Sequence, residues 1–127
     1  VDFYNDSKST NAVSTITAVN SLLEKYSQLV LILGGIAKQE NYSKLIELIN
    51  KKVQTVILIG DSSKVFSEQL SVPTLKIARS MEEAVDLSKS LTKGGAVVLS
   101  PACASFDMFD DFNDRGDQFK HHVIEGS

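Results

Sequence analysis

The sequence has no tryptophan, only two prolines and a single cysteine, Cys103. One cysteine excludes an internal disulfide framework and fits a reducing compartment, so we expect a cytoplasmic protein. No apolar run approaches the roughly 20 residues that span a bilayer, and the N-terminal residues do not form a signal peptide. Because the net charge is -3, we expect neither nucleic acid nor a membrane surface as a partner.

The composition is that of an ordinary globular protein, with 43% hydrophobic and 23% charged residues in a chain of 127. This length suits one domain with a real core and is too short for two domains of ordinary size. The chain opens on Val1-Asp2-Phe3-Tyr4, without a start methionine and with the pattern of a strand already under way. We therefore interpret residues 1–127 as a single domain from a larger protein.

Short apolar runs, typical of buried strands, alternate with segments of helical periodicity. The predicted strands are Phe3–Tyr4, Leu29–Leu33, Thr55–Ile59, Thr74–Ala78 and Ala96–Leu99. The predicted helices are Thr10–Lys25 with Ser9 or Thr10 as N-cap, Tyr42–Lys51, Ser62–Leu70, Met81–Leu91 with a capping box from Ser80 to Glu83, and Arg115–Ile124. The alternation predicts an α/β three-layer sandwich, with a mainly parallel sheet of about five or six strands and helices on both faces. The strand from Thr74 is expected near an edge.

The most informative stretch is Ala96–Phe109, in which a buried strand is followed by small residues. Small residues allow a ligand to approach the backbone closely. A helix starting near Ser105 or Asp107 would add free N–H groups and the Ser105 hydroxyl as an anion-binding corner. This corner lies at the carboxyl end of a strand, where open α/β sheets bind their ligands.

In such a fold every strand-to-helix loop emerges on one edge, so the polar loops at residues 6–11, 34–38, 61 and 100–105 should lie together. They contain Lys8, Lys38 and the hydroxyls of Thr10 and Ser105, a set suited to carboxylates or phosphates. Each lysine could equally be a solvated surface residue, and helix capping alone would explain the two hydroxyls.

Several familiar kinds of site are missing from these loops. The Gly34-Gly35 pair has neither a dinucleotide fingerprint nor a P-loop around it. Cys103 has no nearby arginine and no loop histidine to activate it, so we interpret it as a buried packing residue.

No metal site is expected. His121 and His122 are adjacent, which predicts that they point in different directions and are structural or exposed. The acidic run does not match an EF-hand loop, and acids near a helix start are favoured by the helix dipole. It consists of Asp107, Asp110, Asp111, Asp114 and Asp117.

Three segments together resemble the C-terminal domain of the Mur ligases, most closely the members that add D-glutamate. They are residues 6–11, Leu33-Gly34-Gly35 with Lys38, and residues 99–109 continued by 112–119. The resemblance implies a Rossmann-like third domain that closes over a central ATP-binding domain and an N-terminal UDP-binding domain. It also implies a monomer, and a chain that is inactive by itself.

The resemblance further implies the chemistry and the residues. The family uses ATP and Mg²⁺, held mostly by the other domains, to activate the carboxylate of UDP-N-acetylmuramoyl-L-alanine for attack by the amine of D-glutamate. Thr10, Lys38, Ser105 and the backbone of Phe112 match the groups that bind D-glutamate, while Asp6 matches a ribose contact and Lys8 a phosphate contact. The match departs from the family at Ile36-Ala37, where an acidic residue is frequent.

Two other functions remain as alternatives. A receiver-like signalling module would use Asp61 as phosphoacceptor, but it requires an acidic pair where the chain has Asn5-Asp6 and a lysine before the proline at Ser100-Pro101. A small nucleotide-binding protein would require the phosphate loop that this sequence lacks.

Overall fold

A computed structural model describes residues 1–125, in which five strands alternate with five helices. The strands are β1 Asp2–Asn5, β2 Leu29–Gly34, β3 Thr55–Ile59, β4 Thr74–Ile77 and β5 Ala96–Leu99. The helices are α1 Ala12–Leu23, α2 Ser43–Lys52, α3 Ser63–Gln69, α4 Met81–Leu91 and α5 Phe112–Glu125. Among the described residues, no helix combines the length and apolarity needed to cross a membrane.

The strands form one parallel sheet in the order β1-β5-β2-β3-β4. Strands β2, β3 and β5 are buried along their whole length, which explains their continuous apolar sequence. Strand β4 lies at an edge of the sheet, as predicted. It ends at Ile77, one residue before the predicted end. The predicted α/β three-layer fold is therefore confirmed, with five strands.

Two apolar layers lie on opposite faces of the sheet, because side chains alternate along each strand. Leu31, Leu33 and Leu58 pack with the buried faces of α1, α2 and α3. On the other face, the buried side chains of α4 and α5 join a second set of strand residues. That set is Val30, Ile32, Ile57, Ile59, Val97 and Leu99.

The N-cap residue was predicted correctly for α4 and wrongly for α1. Ser80 caps α4 as predicted, since its side chain accepts a hydrogen bond from the Glu83 N–H at 3.1 Å. The N-cap of α1 was wrongly predicted to be Ser9 or Thr10. It is Asn11, whose Oδ1 accepts from the Ser14 N–H at 2.9 Å. Asn11 has the same capping chemistry, so the sequence did not distinguish it.

The helix start near Ser105 or Asp107, which was the condition for the anion-binding corner there, does not occur. The chain turns there instead, with the Ser105 carbonyl accepting from the Met108 and Phe109 N–H groups at 3.2 and 3.0 Å. Helix α5 begins at Phe112, three residues before the predicted Arg115. The Asp111 carboxylate stabilises this start by accepting a hydrogen bond from the Asp114 N–H at 2.8 Å.

Candidate functional site

Three loops meet at the carboxyl edge of the sheet and are joined by backbone hydrogen bonds. They are the β1–α1 loop (residues 6–11), the β2–α2 loop (residues 35–42) and the β5–α5 loop (residues 100–111). The Ala102 N–H donates to the Ser9 carbonyl at 2.9 Å, which joins the first loop to the third. Ile36 and Ala104 pair through two bonds of 2.9 and 3.1 Å, which joins the second to the third. The predicted gathering of these loops is confirmed.

The junction between the second and third loops requires glycine. Gly35 has a φ of +139°, and a Cβ built there would lie 2.2 Å from the Ala104 carbonyl oxygen. Nearby, Ala102 has a φ of 63°, a conformation that is unfavourable for a residue with a side chain. Close backbone approach and local strain therefore coincide at this edge, as they commonly do at binding sites.

A buried arginine holds the first and third loops to helix α5. The Arg115 side chain is fully buried and donates from Nε to the Ser7 hydroxyl at 2.9 Å. It also donates to the carbonyl oxygens of Ser7 at 2.7 Å and Cys103 at 2.9 Å. The Ser7 hydroxyl in turn donates to the Phe112 carbonyl at 2.7 Å, so the start of α5 belongs to the same network.

Among the described residues, Arg115 forms no ion pair. Burial lowers the pKa of its guanidinium to about 10, and the thiol of Cys103 and the carboxylate of Asp107 oppose this shift. The guanidinium is therefore charged at neutral pH. No local sequence pattern predicts that Arg115 is buried. The sequence indicated its importance only because it lies in the segment 112–119, which resembles the family.

The four residues matched to D-glutamate binding all lie on these loops or at the start of α5. Thr10 is two residues before α1, and Lys38 is exposed, with no partner for its amine among residues 1–125. Ser105 is only 2% exposed. Phe112 is the first residue of α5, so its N–H has no carbonyl acceptor within the helix.

A carboxylate of the chain occupies the start of α1. The Glu40 side chain accepts a hydrogen bond from the Ala12 N–H at 2.7 Å, so it connects the second loop to the first. The same loop is folded locally, because Lys38 donates its N–H to the Tyr42 hydroxyl at 2.9 Å and its carbonyl accepts from the Glu40 N–H at 2.8 Å. These bonds fix the backbone of Lys38 within the second loop and connect that loop to the start of α1, although no sequence motif indicated a role for Glu40.

Asp6 and Lys8, the residues matched to nucleotide contacts, differ in their surroundings. The Asp6 carboxylate accepts hydrogen bonds from the hydroxyls of Ser9 at 2.5 Å and Ser100 at 2.8 Å, both through Oδ2. Lys8 is exposed, and with Lys120 it lines a cavity of about 220 Å³ beside Phe112. Asp117 lines the same cavity and its carboxylate lies 3.8 Å from the Lys120 ammonium, so among these lining residues Lys8 is the cation without an ion pair.

Cys103 belongs to the third loop, and its side chain is fully buried. Burial raises the pKa of its thiol to about 11, against the weaker opposing effects of Ser62, Tyr42 and Arg115. The thiol is therefore protonated at neutral pH. This agrees with the interpretation of Cys103 as a packing residue rather than a nucleophile.

The acidic run serves the local structure in several places. Asp111 caps α5, Asp107 accepts a hydrogen bond from the Asp61 N–H at 2.9 Å, and Asp114 accepts from the Asp110 N–H at 3.0 Å. His121 and His122 were expected to point in different directions, but in the structure their rings lie together. The ring centroids are 5.2 Å apart and the ring planes are inclined at 70°. Rotation about the side-chain bonds brings the two rings together at the surface of α5.

Comparisons with known proteins agree with one another. A family model described as "Mur ligase, glutamate ligase domain" matches residues 1–103. A relative named UDP-N-acetylmuramoylalanine--D-glutamate ligase from Cytophaga hutchinsonii is 47% identical over 98% of this chain. Proteins of the same name from Marinobacter nauticus and Coxiella burnetii are 42% and 44% identical over 99% and 97% of the chain. The chain spans about 28% of the length of each of these relatives.

Proposed function

The chain belongs to the Mur ligase family, matching its glutamate ligase domain, and we propose that it binds D-glutamate for a ligase that joins this amino acid to UDP-N-acetylmuramoyl-L-alanine. The observation that carries the proposal is the placement of Thr10, Lys38, Ser105 and Phe112 on hydrogen-bonded loops at one sheet edge. These residues combine an exposed cation with neutral donors, which suits a ligand with two carboxylates.

In the proposed complex, the Lys38 ammonium binds one carboxylate as a compact point charge. The Ser105 hydroxyl and the Phe112 N–H donate to the other, aided by the positive end of the α5 dipole. Because Ser105 is only 2% exposed, it forms the floor of the site. The Thr10 hydroxyl supplies a further donor from the first loop.

The contribution of this site to the reaction is positioning. A dicarboxylate held at both ends presents its amine in one orientation, and correct orientation alone can lower a reaction barrier substantially. We propose that residues 1–127 form the third domain of a three-domain enzyme and have no ligase activity by themselves. Detection of ligated product with the isolated chain would contradict this.

ATP with Mg²⁺ supplies the phosphoryl group that activates the acceptor carboxylate, and we propose that the central domain holds both. Lys8 fits a phosphate contact, since it is exposed and its ammonium forms no ion pair among the described residues. Asp6 fits a ribose contact less freely. Its Oδ2 already accepts two hydroxyl hydrogen bonds, which leaves Oδ1 for a ligand.

The proposed partners are D-glutamate and the central ATP-binding and N-terminal UDP-binding domains of the same protein. We propose a monomer in the cytoplasm, where the free thiol of Cys103 would remain reduced. The receiver-like alternative is not favoured. Receivers have the strand order 2-1-3-4-5, whereas β1 is here an edge strand next to β5.

The proposal is tested by NMR titration of the chain with D-glutamate, with L-glutamate as the stereochemical control. We expect shifts at Thr10, Lys38, Ser105 and Phe112 that favour the D isomer and disappear in Lys38→Ala. Lys44→Ala is the matched control, because Lys44 is an exposed lysine on α2 outside the three loops. The proposal is refuted if the chain does not bind and Lys38→Ala leaves the KM for D-glutamate of the full-length enzyme unchanged.

A further inference from the structure

A second cluster of polar side chains lies on the last helix, outside the three loops. His121, His122 and Glu125 each place a potential metal-ligand atom within 4.8 Å of the others. His121 Nε2 is 3.1 Å from Glu125 Oε2, and the two side chains are 59% and 66% exposed. His121 and Glu125 are exposed and His122 is half-buried, and no function proposed above uses them.

The opposite wall of the cluster comes from a different helix. Glu82 and Asp86, four residues apart on α4, line a groove of about 190 Å³ together with His122 and Glu125. The groove therefore collects one imidazole and three carboxylates from two packed helices, and the second imidazole, that of His121, lies beside Glu125. His121, His122 and Glu125 lie within 4.8 Å of one another, and imidazoles combined with carboxylates are the donor set of a transition-metal site.

Lys89 on α4 is a cation close to this groove, and it contacts the backbone of α5. The Lys89 ammonium donates hydrogen bonds to the carbonyl oxygens of His122 at 3.3 Å and Val123 at 2.9 Å. Its charge is thus directed at the carbonyl groups of α5. The same contact fixes α5 against α4, which holds the two walls of the groove in register.

We propose that His121, His122 and Glu125, with Glu82 or Asp86 across the groove, bind one divalent transition-metal ion of the zinc type. Zinc ligands at about 2.0–2.2 Å from the metal lie roughly 3.5 Å from each other. Small rotations of these side chains, of which only His122 is half-buried, close the remaining distance. The imidazoles select Zn²⁺ or Ni²⁺ over Mg²⁺, which prefers an all-oxygen octahedral shell.

The test is calorimetric titration of the untagged chain with ZnCl₂ at neutral pH, with MgCl₂ as the ionic control. We expect one Zn²⁺ per chain and no comparable heat with Mg²⁺. His122→Ala and Glu125→Gln should each weaken binding by about tenfold or more, which corresponds to only about 1.4 kcal/mol of binding free energy. The histidine ring signals in NMR spectra should shift on addition of Zn²⁺.

Asp117→Asn is the matched control, because Asp117 is an exposed carboxylate on the same helix outside the cluster. It should bind Zn²⁺ like the unmodified chain. Absence of Zn²⁺ binding would overturn the proposal, as would equal binding by the His121→Ala/His122→Ala double variant. Circular dichroism of each variant verifies that lost binding does not reflect lost folding.

Discussion

Replacing Arg115 with alanine should strongly destabilise the chain, because this side chain joins three parts of the structure. It is the largest of the fully buried side chains and donates hydrogen bonds to Ser7 and Cys103. Removing the donors leaves two buried carbonyl groups without these partners, at about 1–3 kcal/mol each. The vacated volume adds a cavity cost. We expect a total loss of about 3–5 kcal/mol, because relief of the desolvation cost of the buried guanidinium offsets part of these two losses.

The assay is equilibrium urea unfolding followed by circular dichroism. Total stabilities of about 5–15 kcal/mol are typical, so the loss should be clear as a lower midpoint. Arg115→Lys should recover only part of it, because one ammonium cannot reproduce the geometry of three guanidinium donors. Arg79→Ala is the control: Arg79 is exposed, and a change below about 0.5 kcal/mol is expected. A loss below about 1 kcal/mol for Arg115→Ala would refute the reasoning.

Three further predictions concern the same loops. Glu40→Ala should cost about 1 kcal/mol in thermal unfolding through loss of the 2.7 Å bond at the start of α1, while Glu40→Gln keeps an acceptor and should cost less. Gly35→Ala should lower the free energy of unfolding by about 2–3 kcal/mol, because the new Cβ clashes with Ala104 and the φ of Gly35 is unfavourable for alanine. In the control Gly94→Ala the new Cβ meets no atom within 4 Å, so only the unfavourable φ contributes and the loss should be about 1 kcal/mol. Equal midpoints of the two variants in urea unfolding would contradict this prediction. Burial raises the pKa of Cys103 to about 11 in the folded state, so the thiol of the unfolded chain loses its proton at a lower pH. The free energy of unfolding should therefore fall as the pH rises from about 9 to 11. A Cys103→Ala variant whose stability falls with the same pH slope would argue against this cause.

The sequence by itself determined the class of fold and most of its elements. Apolar runs such as Thr55–Ile59 and Ala96–Leu99 became strands with the predicted bounds, because a strand buried on both faces must be apolar along its length. The capping box at Ser80 was also readable, since its hydrogen bond to Glu83 spans only three residues. The placement of the strand-to-helix loops on one edge followed from the parallel alternation alone.

Only the tertiary structure decided the order of the strands, the start of α5 and the roles of Arg115 and Glu40. The hydrogen bonds of Arg115 to Ser7 join residues 108 positions apart, and the bond from Ala12 to Glu40 spans 28 positions. Such contacts exist only after the sheet has formed and its loops have met, so no local pattern encodes them. From the sequence, an arginine among polar residues at a helix start is expected to be exposed to solvent. Arg115 is buried because the fold brings distant carbonyl groups to its guanidinium.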